Sequence, residues 1–233
     1  MADGSNAHEK ATHHYNLGVS YERDGDTENA YREFRNALKE DPEFPYPHKS
    51  LGELLFNEDR LDEALDHLRR ALELDPEWNE ARGLLADVLF DLNKLEEAIS
   101  HMDSALKGDP GNTHYLAQLG RMFIAAGEFS NAVELLEDAC NREPDNYKFQ
   151  FSLAAAYGKR AMQDIDASIR HWKIARDLDP DDPRLYRNMG IAFFTRGMLK
   201  EAADAFAKAL EKNPEDSIAK RYLEFAERDP DSG

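Results

Sequence analysis

A single cysteine, Cys140, stands in 233 residues, so no intramolecular disulfide can hold this fold together. Cationic side chains are in deficit, 29 Lys and Arg against 47 Asp and Glu, for a formal net charge of −18. That balance argues against nucleic-acid binding and against a membrane-surface role, since both need clustered cations to meet phosphates or anionic lipids. No run approaches 18 consecutive apolar residues, which rules out a membrane-spanning helix and direct membrane insertion. The opening MADGSNAHEK has neither the basic start nor the apolar stretch of a signal peptide. The expectation is a soluble, cytoplasmic protein whose residues 1–10 are a flexible N-terminus or a tag remnant.

Catalytic signatures are also missing. There is no nucleophile elbow, Gly-rich phosphate loop, HExxH or paired CxxC. A third of the residues are charged, so carboxylate pairs abound, but with no loop longer than a turn nothing would exclude water from them or raise a pKa. We therefore expect no enzyme activity, no cofactor and no metal. His67, His101 and His171 read as a solvated ladder on stacked helices, because helices about 8–10 Å apart do not converge ligands within about 2 Å of one ion.

What is present is a period. Pro42, Pro76, Pro110 and Pro144 fall 34 residues apart, then Pro180 after 36 and Pro214 after 34. Fixed punctuation of this kind marks a repeat architecture. Placing each proline at position 32 starts the first unit at Ala11 and gives units 11–44, 45–78, 79–112, 113–146, 147–182 and 183–216. The fifth carries two extra residues within Lys159–Asp166. Position 8 is then Gly18, Gly52, Ala86, Gly120, Ala154 and Gly190, and position 27 is alanine in all six units. Position 24 is Phe34, Leu68, Met102, Leu136, Trp172 and Phe206, while position 7 is Leu17, Leu51, Leu85, Leu119, Leu153 and Met189. Spacings of three and four put each set on one helical stripe. Small residues at 8, 20 and 27 admit a close helix pair, and large ones at 7, 11 and 24 fill the space between. Turn residues such as Gly25, Asp59, Asn93, Gly127 and Gly197 separate the halves. A lone hairpin cannot cover its apolar face, so the units must stack.

This pattern resembles the tetratricopeptide repeat (TPR) family over residues 11–216. The resemblance implies an all-α, right-handed α-solenoid of six helix–turn–helix units, with 217–228 as a capping helix and 229–233 as a tail. One departure is position 4, where the family has tryptophan and this chain has His14, His48, Arg82, Leu116, Gln150 and Tyr186.

The resemblance also implies function: a protein–protein interaction scaffold or adaptor that binds a peptide in a concave groove lined by positions 2, 5, 6, 9, 12 and 13. In units four to six those positions hold Arg121, Lys148, Lys159, Arg184 and Arg187 with no carboxylate. In units two and three they hold Glu53, Glu80, Asp87 and Asp91 against Lys49. Residues 1–110 carry −14 and residues 111–233 only −4. A cationic groove favours an acidic peptide, so the expected site is Arg121, Lys148, Phe151, Lys159, Arg184, Arg187, Asn188 and Phe194. Tyr15, Asn16, Tyr46, Lys49, Phe56 and Phe90 form a secondary groove. The family's carboxylate clamp for acidic chaperone tails is not reproduced by any three successive units. Two alternatives stand beside the adaptor: a homo-oligomer self-associating through Tyr222, Leu223 and Phe225, and the targeting module of a larger enzyme.

Overall fold

The computed structural model describes residues 2–160 and 164–228. Residues 161–163 of the long fifth turn and the 229–233 tail lie outside the described residues. Among the described residues there is no strand, and the helices are α1 (Ala2–Arg23), α2 (Thr27–Glu40), α3 (Pro45–Asn57), α4 (Leu61–Leu74), α5 (Asn79–Asp91), α6 (Leu95–Gly108), α7 (Thr113–Ala126), α8 (Phe129–Arg142), α9 (Tyr147–Arg160), α10 (Ile165–Leu178), α11 (Pro183–Arg196), α12 (Leu199–Lys212) and α13 (Ser217–Arg228). The residues ahead of the first unit belong to the opening turns of α1. The chain divides into two compact units, Met1–Tyr115 and Leu116–Gly233. Within the first, α1 packs on α2, α3 on α4 and α5 on α6; within the second, α9 packs on α10 and α11 on α12. This is an all-α repeat of helical hairpins.

Each hairpin closes through one contact repeated by sequence position. A Cβ added to Gly18 would lie 2.6 Å from the Phe34 ring, and one at Gly52 2.6 Å from Leu68. Gly120 and Leu136 meet at 2.7 Å, Gly190 and Phe206 at 2.6 Å. Position 8 therefore has to be small because position 24 of the same unit fills that space. Where it is alanine, Ala86 and Ala154 are fully buried. The alanines at position 27 are likewise fully buried. Serine replaces alanine at position 20 in the fifth unit, and the buried Ser168 hydroxyl is satisfied by donating to the Ala154 carbonyl at 2.8 Å.

The turns and joints have equally local causes. Position 15 is left-handed in Gly25, Asp59, Asn93, Gly127 and Gly197, with φ between 59° and 82°, a region open to glycine and tolerated by Asn and Asp. Before each proline the backbone is extended: Asp41, Asp75, Asp109, Glu143, Asp179 and Asn213 end their helices at φ between −141° and −130°. The proline ring excludes the helical region from its predecessor. Four of these side chains also accept a backbone N–H two residues on, at Glu43, Glu77, Asp181 and Glu215, which explains the preference for Asp or Asn there.

Two expectations are corrected. Leu17 is 36% exposed, whereas its counterparts from Leu51 to Met189 are buried. Second helices pack on the following first helix (α2 on α3, α4 on α5, α8 on α9, α10 on α11), and among the described residues no second helix packs on α1 in that way to cover the stripe. The histidines at position 23 are not a solvated ladder. They are half-buried, and two of them reach position 4 of their own unit: His67 Nδ1 lies 3.0 Å from His48 Nδ1, and His171 Nδ1 lies 2.8 Å from Gln150 Oε1.

Position 4 has a second role that the missing tryptophans conceal. Its side chain donates to the carbonyl of the proline that closes the preceding unit: His48 Nε2 to Pro42 at 3.3 Å, Gln150 to Pro144 at 2.8 Å, Tyr186 to Pro180 at 3.0 Å, and Arg82 to Pro76. Four different donors thus make the same tie between consecutive hairpins.

Candidate functional site

The second unit contains a cleft of about 210 Å³ between α9, α10 and α11. Its floor is Trp172, Ile165 and Ser168 of α10, and its walls are Ala154, Ala155 and Gly158 of α9 with Asn188, Ile191, Ala192 and Thr195 of α11. Lys159 stands at the rim, exposed. Six of these residues (155, 158, 159, 188, 191 and 195) occupy the groove-facing positions, so the cleft opens on the helix face that the resemblance assigns to ligands.

The opening has a sequence cause. At position 12 the other units carry Glu22, Phe56, Phe90, Ile124 and Phe194, and at position 9 Val19, Glu53, Asp87, Arg121 and Ile191. The fifth unit carries Gly158 and Ala155, leaving the space above Trp172 unfilled. Trp172 is 3% exposed and is held edge-on by Phe151, ring centroids 4.8 Å apart and planes at 88°.

The polar groups of the cleft divide into used and unused. The Ser168 hydroxyl donates to Ala154, and the Thr195 hydroxyl to Ile191 at 2.8 Å. The Asn188 carboxamide and the Lys159 ammonium have no partner among the described residues. Asn188 therefore offers one acceptor and two donors to a ligand.

The expected site residues fall into three groups. Lys159 and Asn188 meet in the cleft, with Phe151 packed behind its floor. Arg184 stacks over the Phe151 ring at 5.6 Å, but its guanidinium also binds Asp182 at 2.7 Å. That carboxylate accepts the Tyr147 hydroxyl as well, at 2.8 Å, and these donors hold it below the usual carboxylate range. Arg187 and Phe194 turn toward α13: Arg187 meets the buried Asp216 at 3.2 Å, and Phe194 lies edge-on to Tyr222 at 5.4 Å. Arg121 is exposed on α7 and donates to Gln118 at 2.6 Å. Lys148 is exposed on α9.

Counting groove positions thus suggested a face without carboxylates, and the structure supplies two. Asp182 and Asp216 are the last residues of their units and serve as helix N-caps, accepting from the N–H groups of Arg184 and of Ile218 and Ala219. They lie outside the groove frame, so a count of its positions does not include them. An aspartate directly before a helix start was the available signal. Ala155 and Gly158 were also passed over, and two small residues at positions 9 and 12 of one unit were the signal there.

The secondary groove lies in the first unit and is largely packed. Tyr15 contacts Phe34, Phe44 and Tyr46 with centroids 5.5–5.9 Å apart, and Tyr46 continues to Trp78 at 5.1 Å. Burial raises the Tyr15 phenol above its ordinary pKa. Tyr46 remains 48% exposed. Lys49 is paired with Glu53 in its own helix, Asn16 is exposed, and Phe56 and Phe90 are half-buried.

Cys140 is buried, and desolvation with Glu137 nearby pushes its thiol up to about 12; a thiol so rarely ionised is a small core hydrophobe. Among the described residues no group of three His, Cys, Asp or Glu is placed to hold a metal ion, and no helix is long and apolar enough to cross a membrane.

Fold and cleft together define a helical-hairpin repeat protein with an open groove face. Tetratricopeptide repeat family models match residues 22–88, 55–122 and 153–217; the chain belongs to that family, whose repeats are generally non-catalytic interaction modules. No curated protein matches the sequence. Among solved structures, PilF of Pseudomonas aeruginosa superposes with a TM-score of 0.79 at 17% identity, over 94% of this chain and 99% of that one. PilW, described as a widely conserved type IV pilus biogenesis factor, gives 0.78 at 19% identity, over 91% and 98%. YrrB, described as a TPR protein with an unusual peptide-binding site, gives 0.69 at 20% identity, over 82% and 97%. At these identities the likeness is one of fold.

Proposed function

We propose that this chain is a non-catalytic adaptor that holds an extended, acidic segment of another protein against α9 and α11 of its second unit. The observation that carries the reading is the cleft where, among the described residues, the unengaged polar groups are the Asn188 carboxamide and the Lys159 ammonium, beside an apolar floor. An apolar cavity with a few unsatisfied polar groups is the usual form of a recognition site. Lys159 and Lys148 favour carboxylates on the ligand, and Asn188 suits a peptide backbone, which presents both a donor and an acceptor. Arg184 is the third cation of the site, its charge shared with Asp182. The peptide-binding site described for YrrB is in keeping with this use of the fold.

The test is a peptide selection from a random displayed library, followed by calorimetric titration of the selected peptides. Asn188→Ala and Lys159→Glu should each weaken binding about tenfold, one charge-assisted or neutral hydrogen bond being worth roughly 1–2 kcal/mol. The Lys159 effect should shrink as salt rises. Undiminished affinity in both variants would overturn the reading.

A second reading rests on apolar groups left uncovered: Leu17 on α1, at 36% exposure, and Ile218 and Phe225 on α13, at 46% and 49%. These fit self-association. Light scattering over a wide concentration range decides it, and a constant monomer mass removes it.

A further inference from the structure

The cleft is the shape of a side chain that the fifth unit lacks. Gly158 stands where units two, three, four and six carry Phe56, Phe90, Ile124 and Phe194. A Cβ built on Gly158 points at the Ser168 hydroxyl, 3.1 Å away on the cleft floor, so a side chain at this position would enter the cleft. Ala155, one turn earlier, adds nothing to fill it. The volume of about 210 Å³ is below the roughly 300–1,000 Å³ of sites for whole small molecules, and above the roughly 150 Å³ apolar cavity that accepts a benzene. It suits one ring.

We infer that the ligand supplies the missing group: an extended segment of a partner protein whose one aromatic side chain inserts between Gly158 and Ile191 onto Trp172, with a carboxylate of the same segment meeting Lys159. Charge complementarity at the rim fixes the second element, since the Lys159 ammonium has no carboxylate partner among the described residues. An edge-to-face seat is available because the Trp172 ring is already fixed by Phe151. The adaptor would then choose partners by a single anchor residue. This inference rests on the groove reading above and specifies what the groove selects.

The experiment uses the full chain and peptides selected from a random 12-residue displayed library. Expected is a consensus with one fixed aromatic residue next to an acidic one, and at least a tenfold loss of affinity when that aromatic is replaced by alanine. Ala155→Leu, which fills the cleft from its wall, should erase the difference between the parent peptide and its alanine version. Thr195→Leu fills it from the exposed rim and serves if Ala155→Leu does not fold, as judged by circular dichroism. Selected peptides that depend on Asn188 but show no fixed aromatic, or that keep their aromatic preference in the filled variants, overturn the anchor and leave the groove reading standing. The absence of any peptide that depends on Asn188 or Lys159 overturns both.

Discussion

The second and fifth hairpins share one frame and differ in what they leave open. Both place a small residue at position 8 under a large one at 24, Gly52 under Leu68 and Ala154 under Trp172. Both tie position 4 back to the preceding proline carbonyl, through His48 and Gln150. Their joints already diverge. The second hairpin is entered through Phe44 and left through Trp78, which pack in the aromatic array around Tyr46 and make no side-chain cap. The fifth is entered through Asn146 and left through Asp182, each accepting a backbone N–H of the helix it opens. On the groove face the second hairpin fills its own surface with Phe56 and the Lys49–Glu53 pair, whereas Ala155 and Gly158 leave the fifth hollow. The lesson is that the frame positions carry the fold and leave the groove positions free, so a binding site can be opened by deleting side chains without disturbing the hairpin.

The largest expected effects test the shared part. Leu68→Ala and Trp172→Ala both empty position 24, and each should cost about 3–5 kcal/mol in urea unfolding. A much smaller loss at Trp172 would show that the cleft already weakens that core. Next come the glycines, which should separate the two hairpins. Gly52→Ala drives a methyl to 2.6 Å from Leu68 and should cost about 1–3 kcal/mol through overpacking. Gly158→Ala meets the Ser168 side chain, with the hydroxyl at 3.1 Å and Cβ at 3.8 Å, and gains up to about 1 kcal/mol of helix propensity, so its stability should stay close to wild type.

The third effect depends on pH. Because Nε2 of neutral His48 donates to Pro42, its Nδ1 is the acceptor and His67 Nδ1 the donor of their 3.0 Å bond. Burial holds both imidazoles below their ordinary value of 6.5, with Arg70 adding to the effect at His48, and His48 and Arg35 adding to it at His67; Glu73, Asp66 and Glu63 oppose it. The unfolded chain therefore takes up protons at higher pH than the folded one. Stability is complete above about pH 6.5 and falls as the pH drops through the depressed folded values. His48→Gln copies the fifth hairpin, where Gln150 accepts from His171, and should flatten the decline in Tm between pH 7.5 and 5.5 by a few degrees. An unchanged slope would place the titrating groups elsewhere. The smallest effect is Lys159→Glu, which should leave stability within about 0.5 kcal/mol while changing ligand binding. A large loss of stability would make Lys159 part of the frame.

The frame was legible along the chain because it recurs. Six alanines at position 27 and a proline every 34 to 36 residues are local facts repeated often enough to exclude accident, and each has a nearby cause: a left-handed turn at Gly25 or Asn93, an extended residue before proline, a methyl-sized gap under Phe34. The site was legible only in part. Lys159 was a candidate because it departs from the chain's acidic character at a groove position, Asn188 because the resemblance assigns position 6 to the groove, and the cleft brings the two together. A count of groove positions alone includes neither Asp182, which pairs with Arg184, nor Asp216, which pairs with Arg187, since the caps belong to the joints and not to the groove. His67 and His171 read as solvated because helical period alone does not say which neighbour a half-buried ring will reach.

Helix, turn and hairpin follow from contacts within about 30 residues, so the order of small, large and left-handed positions was enough to dictate them and the family they belong to. Which cations keep a free charge, why four unrelated side chains at position 4 serve one carbonyl, and where the groove is hollow were settled only when the helices of neighbouring hairpins came together. Those properties depend on the distance between side chains from different helices, and a cleft in particular is the absence of a side chain at a place that exists only once its neighbours are packed.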